Sequence, residues 1–185
     1  MELLLASKSP RRRELIAQLG YKYQIIDNDA PEDFPPHLKA EEIPVFLAKQ
    51  KANFNKLSLN PNQVAIFADT IVWCKDEVLN KPADFEEAKK MLQKLSGKSH
   101  KVISGVCLKS HHKEESFFDI TTVYFKPLLE NEIDYYIKNY KPYDKAGAYG
   151  IQEWIGFIGV EKIEGSYFNV VGLPIQKLYQ KLLNF

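Results

Sequence analysis

Val64 to Lys75 is a long β-type run whose apolar character is broken near its middle by one carboxylate, Asp69, which sits between Ala68 and Thr70. Carboxylates are poor strand formers, and burying one without partners costs several kcal/mol. Asp69 therefore needs partners, which the surrounding segments have to supply. A structural ion pair is one reading. The other is a general base or metal ligand at the mouth of a cleft, since a carboxylate can take a proton from water or hold a divalent cation against a phosphate.

The rest of the chain alternates short strands with helices. Leu3 to Ala6 reads as a buried strand; Ser9 is a natural N-cap, with Pro10 at the first helical position. That helix runs through Leu15, Ile16 and Leu19 to a stop at Gly20, and Tyr23 to Ile26 resumes an extended pattern, giving a β-loop-α-β opening. A Pro-rich loop from Ala30 to Pro36 precedes a helix expected over Ile43 to Leu57. Lys75-Asp76-Glu77 turns the Asp69 run toward Val78-Leu79. Asp84 and Glu87 are spaced as a capping box for a helix ending near Leu95, ahead of Gly97. Strands over Lys101 to Lys109 and Phe117 to Phe125, joined by the polar loop Ser110 to Glu115, form a long hairpin. A helix from Glu130 to Tyr140, a Gly-rich segment from Lys145 to Gly172 and a helix from Pro174 to Leu183 follow. This mixture argues for an α/β fold as one domain over residues 1–185, with room for two lobes and with the strand order left open.

Charge excludes some partners. With 25 Lys plus Arg against 24 Asp plus Glu, the net charge of +1 offers no global field for DNA or an anionic membrane, so phosphate recognition must be local. No stretch approaches the roughly 20 apolar residues that span a bilayer, and the apolar start Met1 to Ala6 lacks the features of a leader, so a cytosolic protein is expected. Cys74 and Cys107 lie in apolar runs without zinc-site spacing and are expected as buried thiols. His37, His100, His111 and His112 show no ligand spacing, and the aromatic residues are read as packing.

Four further places could carry chemistry. Ser7-Lys8-Ser9-Pro10-Arg11-Arg12-Arg13 puts three guanidiniums at a helix start, where free N–H groups favour an anion; an ordinary capped helix with solvated arginines is the alternative. Lys51 falls on the Ile43 to Leu57 helix, where a solvated face is the default, and Lys81 precedes Pro82 in a constrained place from which it could point inward. Glu32 lies in the acidic loop Asp27 to Asp33, which is either solvated or an aid to a hard cation. The Gly-rich segments at 145–152 and 165–174 match neither a P-loop nor a dinucleotide fingerprint, and they carry amides, Gln152 and Asn169, able to read a base edge.

Taken in order, Leu5-Ala6-Ser7-Lys8-Ser9-Pro10-Arg11-Arg12, Ala68-Asp69-Thr70, Lys81-Pro82, Leu95-Ser96-Gly97-Lys98-Ser99-His100, Asp144 to Gln152, and Gly165-Ser166-Tyr167 with Val170 to Pro174 resemble the Maf family of nucleoside triphosphate pyrophosphatases. The resemblance implies an elongated mixed sheet with flanking helices and a central cleft between two lobes, similar to the inosine triphosphatases. It also implies a divalent cation, Mg²⁺ or Mn²⁺, and a homodimer. By motif position Asp69 would be the proton acceptor, Ser7, Arg12, Lys51 and Lys81 would hold the triphosphate, and Glu32 would join Asp69 at the metal. Arg11, Thr70 and Gln152 fall where the dTTP/UTP branch carries its specificity residues. Lys8 departs from the small residue frequent at its place. The expected activity is hydrolysis of dTTP and UTP, or of modified pyrimidine nucleotides, to the monophosphate and pyrophosphate as nucleotide-pool housecleaning. The alternative is a nucleotide-binding regulator of septum formation with little turnover.

Overall fold

A computed structural model describes residues 1–185. Its seven strands are β1 (Glu2–Ala6), β2 (Lys22–Ile26), β3 (Gln63–Cys74), β4 (Glu77–Leu79), β5 (Ser99–Lys109), β6 (Glu114–Phe125) and β7 (Val160–Glu164). They form one mixed sheet in the order β2-β1-β3-β5-β6-β7, with β4 paired to β3. β1 runs parallel to both β2 and β3, whereas β3 with β4 and β6 with β7 are antiparallel. The helices are α1 (Pro10–Ala17), α2 (Glu42–Phe54), α3 (Phe85–Leu95), α4 (Glu130–Tyr140), α5 (Trp154–Gly159), α6 (Tyr167–Val171) and α7 (Ile175–Leu183). The expected α/β class, a mixed sheet with flanking helices, is the one found. No helix is long and apolar enough to cross a membrane.

The chain divides into two compact units. The first comprises Met1–Thr70, Ser104–Asp119 and Gly172–Phe185. Here β1 and β3 bury both faces, so alternate residues enter different cores. Leu3, Leu5, Val64, Ile66 and Ala68 pack with Ile16 of α1 and with Leu178 and Leu182 of α7. Leu4, Ala6, Ala65 and Phe67 pack on the opposite face with Ala48 and Ala52 of α2. Each fully buried Leu or Ile contributes roughly 1.5–3 kcal/mol. Close approach of α2 is possible because residue 105 is glycine: a Cβ there would lie 2.3 Å from the Pro44 carbonyl carbon.

The second unit comprises Ile71–Ile103 and Ile120–Val171. Here α3 packs on α4 and on a single 3₁₀ turn, Ala146–Ala148, while α4 also meets α5. Positive φ at Lys75 (51°) and Asp76 (60°) makes the tight turn that folds β4 back on β3. Asp84 caps α3 by accepting from the Glu87 amide at 2.9 Å, but Glu87 accepts from Ala83 rather than from Asp84, so the capping box is only half formed.

Three expectations are corrected. α1 and α2 end at Ala17 and Phe54, short of Leu19 and Leu57. The segment 145–172 is not merely Gly-rich, since it holds α5, β7 and α6. The aromatics are not all packing residues: Phe157 is 75% exposed, and Tyr135, Tyr167 and Phe168 also face solvent. Cys74 and Cys107 are free and buried, and burial pushes both thiols up.

Candidate active site

Asp69 is buried on β3, and its partner comes from α2. Lys51 Nζ donates to Asp69 Oδ1 at 2.5 Å and to Glu32 Oε1 at 3.1 Å. The solvated face expected for Lys51 is overturned. The buried stripe of α2 includes Ile43, Leu47 and Lys51, each four residues after the last, so helix periodicity turns the ammonium inward beside Ala48 and Ala52. Glu32 keeps half of its side chain in solvent while sharing that ammonium. Two carboxylates thus converge on one buried cation, which offsets the buried charge of Asp69, while Glu32 is also met by solvent.

On the other face of β3 stands Arg12. Ser9 caps α1 by accepting from the Arg12 amide at 3.4 Å. The Arg12 side chain then donates from Nε to the Gly172 carbonyl at 2.8 Å, from Nη1 to the Ala68 carbonyl at 2.8 Å and from Nη2 to Thr70 Oγ1 at 3.0 Å. Part of the residue reaches solvent while its guanidinium is enclosed. Burial draws the Arg12 pKa below the usual arginine range, opposed by the Asp69 and Glu32 carboxylates, and the group stays charged. Ser7 is buried directly after β1, where its hydroxyl accepts from the Ser9 amide at 3.2 Å. Lys8 is exposed and pairs with Asp29 at 2.5 Å. The first unit therefore brings together Ser7, Arg12, Glu32, Lys51, Asp69 and Thr70, with Arg11 half-buried on the first turn of α1.

Lys81 and Gln152 belong to the second unit, and both are exposed. Their segments are tied to each other by the Gly147 amide, which donates to the Asn80 carbonyl at 3.2 Å. Gly147 has φ +68°, and a Cβ there would also meet the Val72 side chain at 2.9 Å, so glycine is required twice over. Next to Gln152 in the chain, Glu153 belongs to a polar brace. Lys145 Nζ reaches Glu153 Oε1 at 3.0 Å and Asp144 Oδ1 at 2.7 Å, Tyr136 Oη donates to the Glu153 carboxylate, and the Gly150 amide donates to Tyr136 Oη at 3.0 Å. Burial and the Glu153 charge drive the Tyr136 hydroxyl strongly upward in pKa, so it remains a donor.

The chain matches the model of the Maf-like protein family over residues 2–185. It belongs to the Maf family. Relatives of this Maf-family chain include proteins named dTTP/UTP pyrophosphatase. That of Phocaeicola vulgatus is 53% identical over 182 residues, covering 98% of this chain and 94% of the relative. Those of Bacteroides fragilis and Parabacteroides distasonis are 51% and 48% identical, with coverage of 98% and 100% of this chain and of 94% and 96% of the relatives. Among solved structures, a Ham1 protein of Staphylococcus aureus is similar at a TM-score of 0.47 with 14% identity, over 68% of this chain and 72% of that one.

The donor set of this Maf-family chain fits a hard divalent cation. Asp69 and Glu32 aim carboxylate oxygens at one position, now taken by the Lys51 ammonium, and no group of three or more His, Cys, Asp or Glu residues could form an all-protein cage. Mg²⁺ is held in that way, by one or two carboxylates with water and substrate phosphates completing the shell. Sequence reasoning missed Ser104, fully buried with its hydroxyl 2.8 Å from Thr70 Oγ1, and the Lys145–Glu153 brace. Ser104 had a signal, because it interrupts the apolar run Val102 to Leu108 just as Asp69 interrupts its own.

Proposed function

We propose that this Maf-family chain hydrolyses dTTP and UTP, or modified pyrimidine nucleotides, to the monophosphate and pyrophosphate, and so cleans the nucleotide pool. The observation that carries the reading is the Lys51 ammonium held between Asp69 and Glu32, 2.5 and 3.1 Å away. Such a cluster presents a carboxylate base beside a mobile positive charge, which suits attack of water on a polyanion.

In this mechanism Asp69 accepts a proton from a water whose oxygen attacks the α-phosphorus; the α-β phosphoanhydride bond breaks and pyrophosphate leaves. Lys51 moves its ammonium toward the triphosphate as Asp69 takes up the proton, so the carboxylate loses its ion pair only when it becomes neutral. Ser7, Arg12 and Lys81 help to hold the phosphates, while Arg11, Thr70 and Gln152 govern the choice of nucleotide. Asp69 and Glu32 would hold Mg²⁺ or Mn²⁺, which when bound screens charge on the phosphates. The reading takes the enzyme as a cytoplasmic homodimer of single 1–185 domains whose partner is a nucleoside triphosphate, with no role for nucleic acid or membrane.

A substrate panel of UTP, dTTP, CTP, 7-methyl-GTP and ITP with Mg²⁺ or Mn²⁺ tests it. Pyrophosphate, not orthophosphate, is expected from UTP and dTTP ahead of the others. Nucleotide binding without product, or orthophosphate as the product, would overturn the reading.

A further inference from the structure

We propose that Lys8 is a further phosphate-binding residue, paired with Asp29 until a nucleotide arrives and then turned to the triphosphate tail; this deepens the pyrophosphatase reading and rests on it. Strand register supplies the place. Leu5 pairs with Ile66 and Ala6 with Ile26, so β1 and β2 stop level with the stretch of β3 that carries Asp69. The chain leaves β1 there as Ser7-Lys8-Ser9 and leaves β2 as Asp27-Asn28-Asp29. Both exits lie at the carboxyl ends of neighbouring parallel strands, where open α/β sheets bind their ligands. Ser7, the buried residue just before Lys8, already belongs to the proposed phosphate site.

The partner of Lys8 is one that it can leave. Lys8 Nζ meets Asp29 Oδ1 at 2.5 Å with 65% and 72% of the two side chains in solvent, whereas Lys51 and Asp69 are sealed to 10% and 12%. Water and salt screen a pair as open as the first, so exchanging Asp29 for phosphate oxygens costs the ammonium little. The hydrogen bond to Asp29, and behind it the charge of Asp27, raise the Lys8 pKa, so the side chain is charged when a nucleotide meets it. The acidic loop also needs this cation. Asp27, Asp29, Glu32 and Asp33 would repel an incoming polyanion; Lys51 serves Glu32, and Lys8 offsets Asp27 and Asp29. The pair is not what holds the loop in place. Within it the Ala30 amide donates to Asn28 Oδ1 at 3.1 Å, and Lys51 of α2 holds Glu32 at 3.1 Å.

The test is calorimetric titration of Lys8→Ala, Lys8→Arg and Asp29→Asn with α,β-methylene-dTTP and with dTMP, both with Mg²⁺. Lys8→Ala should bind the triphosphate analogue about fivefold to tenfold more weakly, the size expected for one charged contact to the tail, and should bind dTMP as the wild type does. Lys8→Arg should keep most of the affinity. Asp29→Asn removes both the competitor for the ammonium and a like charge, so it should bind the analogue more tightly than the wild type. A merely structural latch predicts the opposite, because breaking it from either side would loosen the same loop. Equal losses on the analogue and dTMP, unaltered analogue binding in Lys8→Ala, or weaker analogue binding in Asp29→Asn would overturn the role of Lys8. Pyrophosphate release from UTP and dTTP is the second readout. KM should rise in Lys8→Ala with kcat changed less than about twofold, since the contact serves ground and transition states alike. A tail-dependent loss of binding with no pyrophosphate from any nucleotide refutes the activity and leaves Lys8 a phosphate ligand. Pyrophosphate release by the wild type with an unaltered KM in Lys8→Ala refutes Lys8 and leaves the activity standing.

Discussion

Lys51 Nζ lies 2.5 Å from Asp69 Oδ1, and about nine-tenths of each side chain is withdrawn from solvent. The pair joins the last turn of α2 to the middle of β3, and its cation is the nearest charge to the carboxylate proposed as base. An ammonium in that position partners the Asp69 carboxylate, and under the proposed mechanism it would turn to a phosphate once nucleotide arrives.

Asp69→Asn keeps the shape of the side chain and removes its basicity. Turnover of UTP and dTTP should drop by about 10²–10⁴-fold, the usual contribution of a positioned proton acceptor. Binding of a non-hydrolysable dTTP analogue, followed by calorimetry, should stay close to that of the wild type. Near-normal pyrophosphate release by the folded variant would remove Asp69 from the mechanism.

Lys51→Met leaves Asp69 buried beside an apolar side chain. Removing one partner of such a pair costs about 3 kcal/mol or more, and Glu32, half in solvent, can re-solvate while Asp69 cannot. Urea unfolding should show that loss. Adding Asp69→Asn to Lys51→Met should restore part of it, because the stranded charge is then gone. Strictly additive losses would mean the pair is not coupled in solution.

These two residues also show what the sequence reveals and what it hides. Asp69 was legible because a carboxylate inside an apolar strand contradicts its surroundings. Lys51 was legible in principle, since Ile43, Leu47 and Lys51 recur at four-residue spacing, but a single lysine in the basic stretch Lys49-Gln50-Lys51 reads locally as a solvated face. The opening β1-α1-β2, the Asp84-capped α3, the β5-β6 hairpin and α7 follow from caps, periodicity and turn residues. By contrast α5 and β7 were hidden, because Gly156, Gly159 and Gly165 imitate loop composition while serving close approach: a Cβ on Gly156 would lie 2.0 Å from the Ile151 carbonyl oxygen. The partners of Arg12 were hidden for a different reason. Two of the three are the backbone carbonyls of Ala68 and Gly172, and a carbonyl leaves no side-chain signature.

Lys145→Met should loosen the brace that holds Glu153, the chain neighbour of Gln152. Lys145 is buried against Glu153, which would keep only the Tyr136 hydroxyl as a close partner within that brace. A rise in KM for UTP of about tenfold, with kcat nearly unchanged, is the expected pattern for weakened binding that is shared by ground and transition states. Lys145→Arg should recover much of the affinity. A fall in kcat at constant KM would instead assign Lys145 to the chemical step.

Acid stability should carry the mark of His100. The ring is buried, packs on Phe125 and Tyr149 at centroid distances of 5.4 Å, and has Nε2 2.7 Å from Tyr149 Oη. Burial pulls its pKa down from 6.5 to about 4, so the folded chain keeps the ring neutral while the unfolded chain takes up a proton below about 6.5. The unfolded state then binds more protons, and stability falls as pH drops from about 6.5 to about 4, below which this loss levels off. The gap between the two values corresponds to about 3 kcal/mol. Glu115 and Glu132 are held below the ordinary carboxylate range by Lys181 and Lys126 respectively, so their losses fall lower, as pH drops from about 4.5. Thermal melts between pH 4.5 and 6.5 should therefore slope downward in the wild type and flatten in His100→Phe, which keeps an aromatic ring of similar size without a titrating nitrogen. An unchanged slope in that variant would show that another group sets the acid limit.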